Sequence, residues 1–219
     1  MLLHIMRNNH DTDAVFRDKK VAWAVDMDGT LIQQDVTVLV LQKTALLPHL
    51  WPFLLWALVV AVVRGPIVAF RFLEHRVPLC LPRDVTYNAD LIQLLERHRH
   101  EGGKAVLATA SHVHVGKQVV EKGQLTHLFD DVWGSCMKGD AKHVLDMSQA
   151  HKAAVLNDFL VTKEKGFVYA GNSKDDLTVW SHPNCRGMIL VNCQDDVLNQ
   201  ALQIPKPKII VPRRRKGFT

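Results

Sequence analysis

The chain has 219 residues, 47% hydrophobic and 22% charged, which is enough for one domain with a large insertion or for two small ones, and too apolar for a disordered chain. Its formal net charge of +5 is concentrated at one end, where Lys206, Lys208, Arg213, Arg214, Arg215 and Lys216 outnumber the whole excess. A basic body built to bind nucleic acid is therefore excluded.

In chain order, "MLLHIMRNNHDTD" holds an apolar stretch too short for a secretory signal and turns polar at once, so a cytoplasmic protein is expected. Cys80, Cys136, Cys185 and Cys193 form no CxxC pair and no zinc spacing, which agrees with a reducing compartment and argues against a disulfide framework. "VAWAV", Val21 to Val25, reads as the first strand, and "DMDGT" follows it directly. From Thr44 to Val63 there is no Lys, Arg, Asp or Glu, a run long enough to span a membrane. A single crossing would place the acidic loop and the later candidate residues on opposite sides, and Pro48 and Pro52 interrupt a straight helix. The next apolar piece, "GPIVAF", is too short to return. Residues 34–86 are therefore expected to form a buried helical cap, with Trp51, Phe53 and Trp56 in its core and membrane contact as its use. The alternative is an interfacial helix with Arg64, Arg71 and Arg76 toward the headgroups.

From Tyr87 the pattern alternates regularly. "NADLIQLLERHRHEGG" predicts a helix closed by Gly102 or Gly103, and "KAVLATAS" a strand and its loop. Then come a helix in "VGKQVVEKGQL", a short strand in "FDDVWGS", a helix in "HKAAVLNDFLV", a strand in "GFVYAGNS" and a last strand in "RGMILVN". The alternation implies an α/β fold, a Rossmann-like doubly wound parallel sheet, with the core in 18–33 and 87–202 and the cap inserted after the first strand. His98 and His100 are read as a solvated helix end, whereas His112 and His114 follow Thr109 closely enough to line a site. Residues 203–219, with "KPKIIVPRRRKGFT", are read as a basic tail, either frayed or anchored to anionic lipid.

Three of the strands end in polar loops, "DMDGT", "TAS" and "GNSKDD", which a doubly wound sheet can bring to one crevice. They carry the carboxylates of Asp26, Asp28 and Asp176, the amide of Asn172, the hydroxyls of Thr109 and Ser111, and a lysine nearby. Such oxygen-rich chemistry suits a hard cation, magnesium above all, beside a phosphate.

These motifs resemble those of the haloacid dehalogenase-like hydrolases: "DMDGT" matches DxDGT, "VLATAS" a strand ending in Thr or Ser, Lys152 the helix-borne lysine, and "AGNSKDDL" the pattern GDSxxD. The resemblance implies a magnesium-dependent phosphomonoester hydrolase. Asp26 would be the nucleophile that forms an aspartyl-phosphate, and Asp28 the general acid and base. Thr109, the amide of Ala110 and Ser111 would hold the phosphate, and Lys152 would neutralise it. Asp26, the main-chain carbonyl of Asp28, Asn172 and Asp176 would ligate the metal. Lys138 and Lys142 are rivals of Lys152.

Asn172 departs from the usual aspartate and implies weaker metal binding or, at the extreme, a binding module without catalysis. The wording "LATAS" with "YAGNSKDDLTVW" is similar to the hydrolase domains fused ahead of membrane prenyltransferases, and more distantly to phosphoserine phosphatases. The implied substrates are accordingly a lipid-linked or amphipathic phosphate, a small soluble metabolite or a phosphoprotein.

Overall fold

The computed structural model describes residues 11–64, 69, 73, 85–138, 143–145, 149–161 and 166–212. They fall into two compact units, 1–33 with 86–219, and 34–85.

The first unit is built on strand β1 (Ala22–Val25), buried at all of its positions because it lies between β2 (Ala105–His112) and β5 (Phe167–Gly171). Strands enclosed on both faces read as continuous apolar runs rather than alternating ones, which is how "AWAV" and "FVYAG" are written. The remaining strands are β3 (Asp131–Lys138), β4 (His143–Leu145), β6 (Cys185–Val191) and β7 (Lys208–Val211). The sheet order is β4-β3-β2-β1-β5-β6-β7. Six strands run parallel, while β4 pairs antiparallel with the end of β3. This is the doubly wound Rossmann-like arrangement, and it sets the carboxyl ends of β2, β1 and β5 side by side.

Helices α1 (Asp11–Arg17), α2 (Val36–Ala45), α3 (Trp51–Arg64), α4 (Ala89–His100), α5 (Val113–Lys122), α6 (Gln149–Leu156), α7 (Asp176–Ser181) and α8 (Asp195–Gln203) complete the described elements. Asn88 caps α4 by accepting from the Leu91 amide at 3.1 Å, and Leu91, Leu94 and Leu95 form its buried stripe. Helix α6 runs on into a π-turn, Asn157–Val161.

His98 is not on a solvated end. It is buried on the stripe of α4, stacked on Trp23 with ring centroids 4.2 Å apart, and its Nε2–H donates to the Lys104 carbonyl at 3.1 Å. Gly103 makes room for it, since a Cβ there would lie 2.1 Å from the imidazole ring. Burial holds the imidazole pKa below its ordinary value.

The expected basic tail also begins inside the fold. Gln203 ends α8, and β7 pairs in parallel with β6, with Ile209 and Val211 buried. Lys206 donates to the Trp180 carbonyl at 2.7 Å and the His182 carbonyl at 2.6 Å, where α7 ends. Its charge serves helix capping rather than a lipid surface. Arg213 to Lys216, Arg71, Arg76 and Cys80 lie outside the described residues.

In the second unit the long uncharged run is broken. Helix α2 stops at Ala45, a 3-10 turn follows at Pro48–Leu50, and α3 is 14 residues long. At 1.5 Å per residue that is about 21 Å, short of a bilayer core of roughly 30 Å. Among the described residues no helix is long and apolar enough to cross a membrane. The Trp51 indole N–H donates to the Ala45 carbonyl at 3.0 Å and ties the two helices together.

The expectation of a buried cap with an aromatic core is corrected here. Ala57 is buried, together with Leu50, Ala69 and Leu73, and Phe53 packs on that cluster, but Trp51 is 55% and Trp56 56% exposed. Leu55, Leu58, Val59, Val62 and Val63 are exposed as well. One side of α3 is covered and the other is not, although both are apolar.

Candidate active site

Asp26 begins the loop at the carboxyl end of β1, and its backbone N–H still donates to the Ala170 carbonyl of β5 at 2.9 Å. That bond fixes the side chain at the sheet edge, where only 8% of the residue is exposed. Lys152, on α6 and buried, donates from Nζ to Asp26 Oδ1 at 2.7 Å. The other oxygen, Oδ2, is 3.4 Å from the Thr30 hydroxyl, which is also 3.2 Å from Asn172 Oδ1. One hydroxyl proton thus faces two acceptors.

The turn in "DMDGT" depends on Gly29. Its φ is +73°, and a Cβ would fall 2.1 Å from Asn172 Nδ2, so both backbone and neighbour demand glycine. Asn192, from the end of β6, donates Nδ2–H to the Gly29 carbonyl at 3.2 Å and holds the turn from the far side.

Asp28 is half-buried, and its Oδ2 accepts from the Ser111 hydroxyl at 3.1 Å. The Ser111 amide in turn donates to Thr109 Oγ1 at 3.1 Å. Thr109 is fully buried, whereas Ala110 is exposed and its carbonyl accepts from Ser135 Oγ at 2.7 Å. Thr109 Oγ1 and the Ala110 carbonyl order the loop and the Ser111 hydroxyl orients Asp28, while these bonds do not involve the Ala110 amide expected at the phosphate. His112 and His114 face each other with ring centroids 5.0 Å apart at the start of α5.

Asp176 is buried at the start of α7. Its Oδ2 accepts from the Asn172 amide, the Ser173 amide and the Ser173 hydroxyl, each at 2.9 Å. Its Oδ1 accepts from the Tyr169 hydroxyl at 2.7 Å. With four donors on two oxygens, this carboxylate shapes the loop that presents Asn172 and has little capacity left for a metal. Tyr169 also accepts from Lys152 Nζ at 3.1 Å. Of the rival lysines, Lys142 and the side chain of Lys138 lie outside the described residues, while Lys152 stands on Asp26.

The cluster is electrostatically tense. Burial pushes the Asp26 carboxyl up to about 7, against the pull of Lys152, and the charges of Asp176 and Asp28 add to the rise. Burial lowers the Lys152 ammonium pKa, but Asp26 and Asp176 outweigh it, so the pKa is raised and the lysine stays charged. Tyr169 is pushed well above its ordinary value by burial and by Asp176, and keeps its proton. Cys193 rises to about 12 through burial and Asp176 and is inert as a nucleophile.

Among the described residues no three His, Cys, Asp or Glu side chains stand together as a metal site. The oxygen donors nevertheless fit a hard cation: Asp26 Oδ2 and Asn172 Oδ1 share the single Thr30 proton, so one of them keeps unfilled acceptor capacity. One lysine also faces the three carboxylates of Asp26, Asp28 and Asp176. Both observations favour a further positive charge.

The family model for haloacid dehalogenase-like hydrolases matches residues 24–180, the stretch that holds Asp26, Thr109, Lys152 and Asn172. The chain belongs to the haloacid dehalogenase-like hydrolase family. No curated protein matches it. Among solved structures it is similar to a haloacid dehalogenase family hydrolase from Salmonella enterica serovar Typhi, with 13% identity and a TM-score of 0.55. That match covers 83% of this chain but only 65% of the Salmonella protein. A protein of unknown function from Bordetella pertussis aligns at 15% identity and TM-score 0.61, over 86% of this chain and 98% of its own. A phosphoserine phosphatase bearing an analogue of its phospho-aspartyl intermediate aligns at 12% identity and TM-score 0.54, over 90% and 95%. At such identities the likeness is one of fold, and the hydrolase family rests on the matched motifs.

Sequence reasoning missed Tyr169 and Thr30. Thr30 lies within the DxDGT motif itself, so its spacing to Asp26 was available. Tyr169 sits in a wholly buried strand, where the signal is chemical: a buried phenol hydroxyl must find a partner.

Proposed function

We propose that this hydrolase is a phosphomonoesterase working through an aspartyl-phosphate on Asp26. The observation that carries the reading is a nearly buried carboxylate at the end of the central strand, held on one oxygen by Lys152 at 2.7 Å, with a second carboxylate, Asp28, two residues on. An Asp26 oxygen attacks phosphorus as the bond to the leaving oxygen breaks. Asp28 gives that oxygen a proton, then takes one from the water that attacks the aspartyl-phosphate and releases phosphate. Lys152 lowers the cost of charge on the transferring group, and the loop at Thr109 and Ala110 receives its oxygens. Asp26, the main-chain carbonyl of Asp28 and Asn172 would hold Mg2+, whose contribution is charge neutralisation. Asp176 supports that set from behind through the Asn172 loop.

The substrate we assign is an amphipathic or lipid-linked phosphate, met at the cytoplasmic face of a membrane. Support comes from the uncovered apolar side of α3 and from the likeness of "LATAS" and "YAGNSKDDLTVW" to prenyltransferase-fused hydrolase domains. Magnesium-dependent phosphate release from an aryl phosphate tests the chemistry. The wild type should be active and Asp26→Asn slower by about a thousandfold or more. An active Asp26→Asn variant would sink the mechanism. Preference for a soluble phosphoserine over a long-chain phosphate in detergent would move the substrate to the soluble class.

A further inference from the structure

The buried groups around Lys152 form one directed chain. Asp176 carries only acceptors on its carboxylate, so at 2.7 Å the single Tyr169 proton must point to it. The lone pairs of that hydroxyl are then what Lys152 Nζ meets at 3.1 Å, and the ammonium spends another proton on Asp26 Oδ1 at 2.7 Å. Tyr169 is fully buried and Lys152 and Asp176 are nearly so, at 6% and 2% exposure, which leaves water little opportunity to replace any link. The Lys152 ammonium lies 5.7 Å from the centroid of the Tyr169 ring, beyond the hydroxyl, so the phenol oxygen is the group that meets it. Trp180 crosses the ring of Tyr169 edge-on at 6.4 Å and donates its indole N–H to the Tyr169 main-chain carbonyl at 3.1 Å, so one neighbour both packs on the ring and holds its backbone.

We infer that Tyr169 is a positioning residue, which sets where Lys152 holds its charge against Asp26 by tethering the ammonium to Asp176. The physical reason is geometric. A lysine tip has several rotatable bonds, and one ion pair leaves it free to swing about Asp26. A second acceptor, set by a rigid phenol in a central strand, removes that freedom. A displacement of about 1 Å in a charge-stabilising group is enough to cost on the order of a hundredfold in rate. Tyr169 touches no reacting atom, and acts only through Lys152. This inference rests on the phosphatase reading for its kinetic consequence and on hydrogen bonding alone for the tether.

The test is a cycle of Tyr169→Phe, Lys152→Met and the double variant in the full chain, read in two ways. In magnesium-dependent hydrolysis of an aryl phosphate, Tyr169→Phe should lower kcat about 10- to 100-fold with KM moved less than about threefold. In the Lys152→Met background the same change should have almost no further effect on kcat. In thermal melts, which need no activity, the two single variants should lower Tm by amounts that fail to add in the double variant. Equal fractional losses of kcat in both backgrounds, or additive Tm shifts, would overturn the inference. A Tyr169→Phe enzyme within twofold of wild type would do so too. If the wild type releases no phosphate, the phosphatase reading fails by itself, and the melting cycle still decides whether Tyr169 tethers Lys152.

Discussion

Strand β5 and helix α3 are written in nearly the same alphabet, rich in large apolar side chains and without charge apart from Arg64 at the end of α3, and they end up in opposite circumstances. In β5 all five residues are buried, and the one polar group among their side chains, the Tyr169 hydroxyl, has a donor on one side and an acceptor on the other. In α3 only Ala57 is buried, while Leu55, Val62 and Val63 are 66%, 82% and 73% exposed. Apolar content alone therefore does not say which segment is core. The difference lies in enclosure: a central parallel strand is enclosed by its neighbours and by helices on both faces, whereas a helix pair can cover only one side of itself.

The comparison can be broken most severely on the enclosed side. Asp176→Ala strips the acceptor from two amides and two hydroxyls near β5, and should cost about 3 to 5 kcal/mol by urea unfolding, with a fall in Tm on the order of 10 °C. A loss under about 1 kcal/mol would mean that this network contributes little to holding the site.

A smaller effect is expected from His98, whose neutral imidazole is buried against Trp23. Its folded pKa lies below the ordinary 6.5, so the unfolded chain binds the proton more readily. The stability this supplies is present above pH 6.5 and lost as the pH falls through the folded value. Urea midpoints measured from pH 7.5 down to 5 should decline, and His98→Gln should flatten that decline. An unchanged slope in the variant would remove His98 from the account.

The least change in stability is expected on the uncovered side of α3. Leu55→Glu with Val59→Glu should shift unfolding by no more than about 0.5 kcal/mol, yet abolish co-flotation with vesicles containing anionic lipid. Ala57→Glu, two residues or a little over half a turn from both Leu55 and Val59 and on the covered side, should instead destabilise the helix pair. Flotation that survives the double substitution would remove α3 from membrane contact.

How far the molecule could be read in advance follows the same division. The core strands were legible because each is a short apolar run ending in a polar loop, and the order of motifs placed Asp26, Thr109, Lys152 and Asn172 at one edge. Strand β7 was hidden by composition: "KPKIIV" looks like a charged tail until Lys206 is seen donating to two carbonyls. His98 was hidden by its neighbours, since "HRH" reads as solvated and its partner Trp23 is remote in the chain. The tether from Lys152 through Tyr169 was hidden because it requires the side-chain geometry of β5, which no spacing encodes. Trp51 and Trp56 of α3 were misread because uncharged length was equated with burial, whereas Phe53 does pack on the buried cluster.

The place of β1 in the sheet has a consequence for how the protein is made. Ala22 pairs with Phe167, so roughly 145 residues must leave the ribosome after β1 before its second neighbour exists. At about 5 to 20 residues per second that interval is roughly 7 to 30 s. Through the first part of it, until β2 has been made, "VAWAV" has no strand beside it. Biosynthesis of this hydrolase should accordingly lean on chaperones that hold nascent chains, and slower translation through 34–85 would lengthen that exposure rather than relieve it.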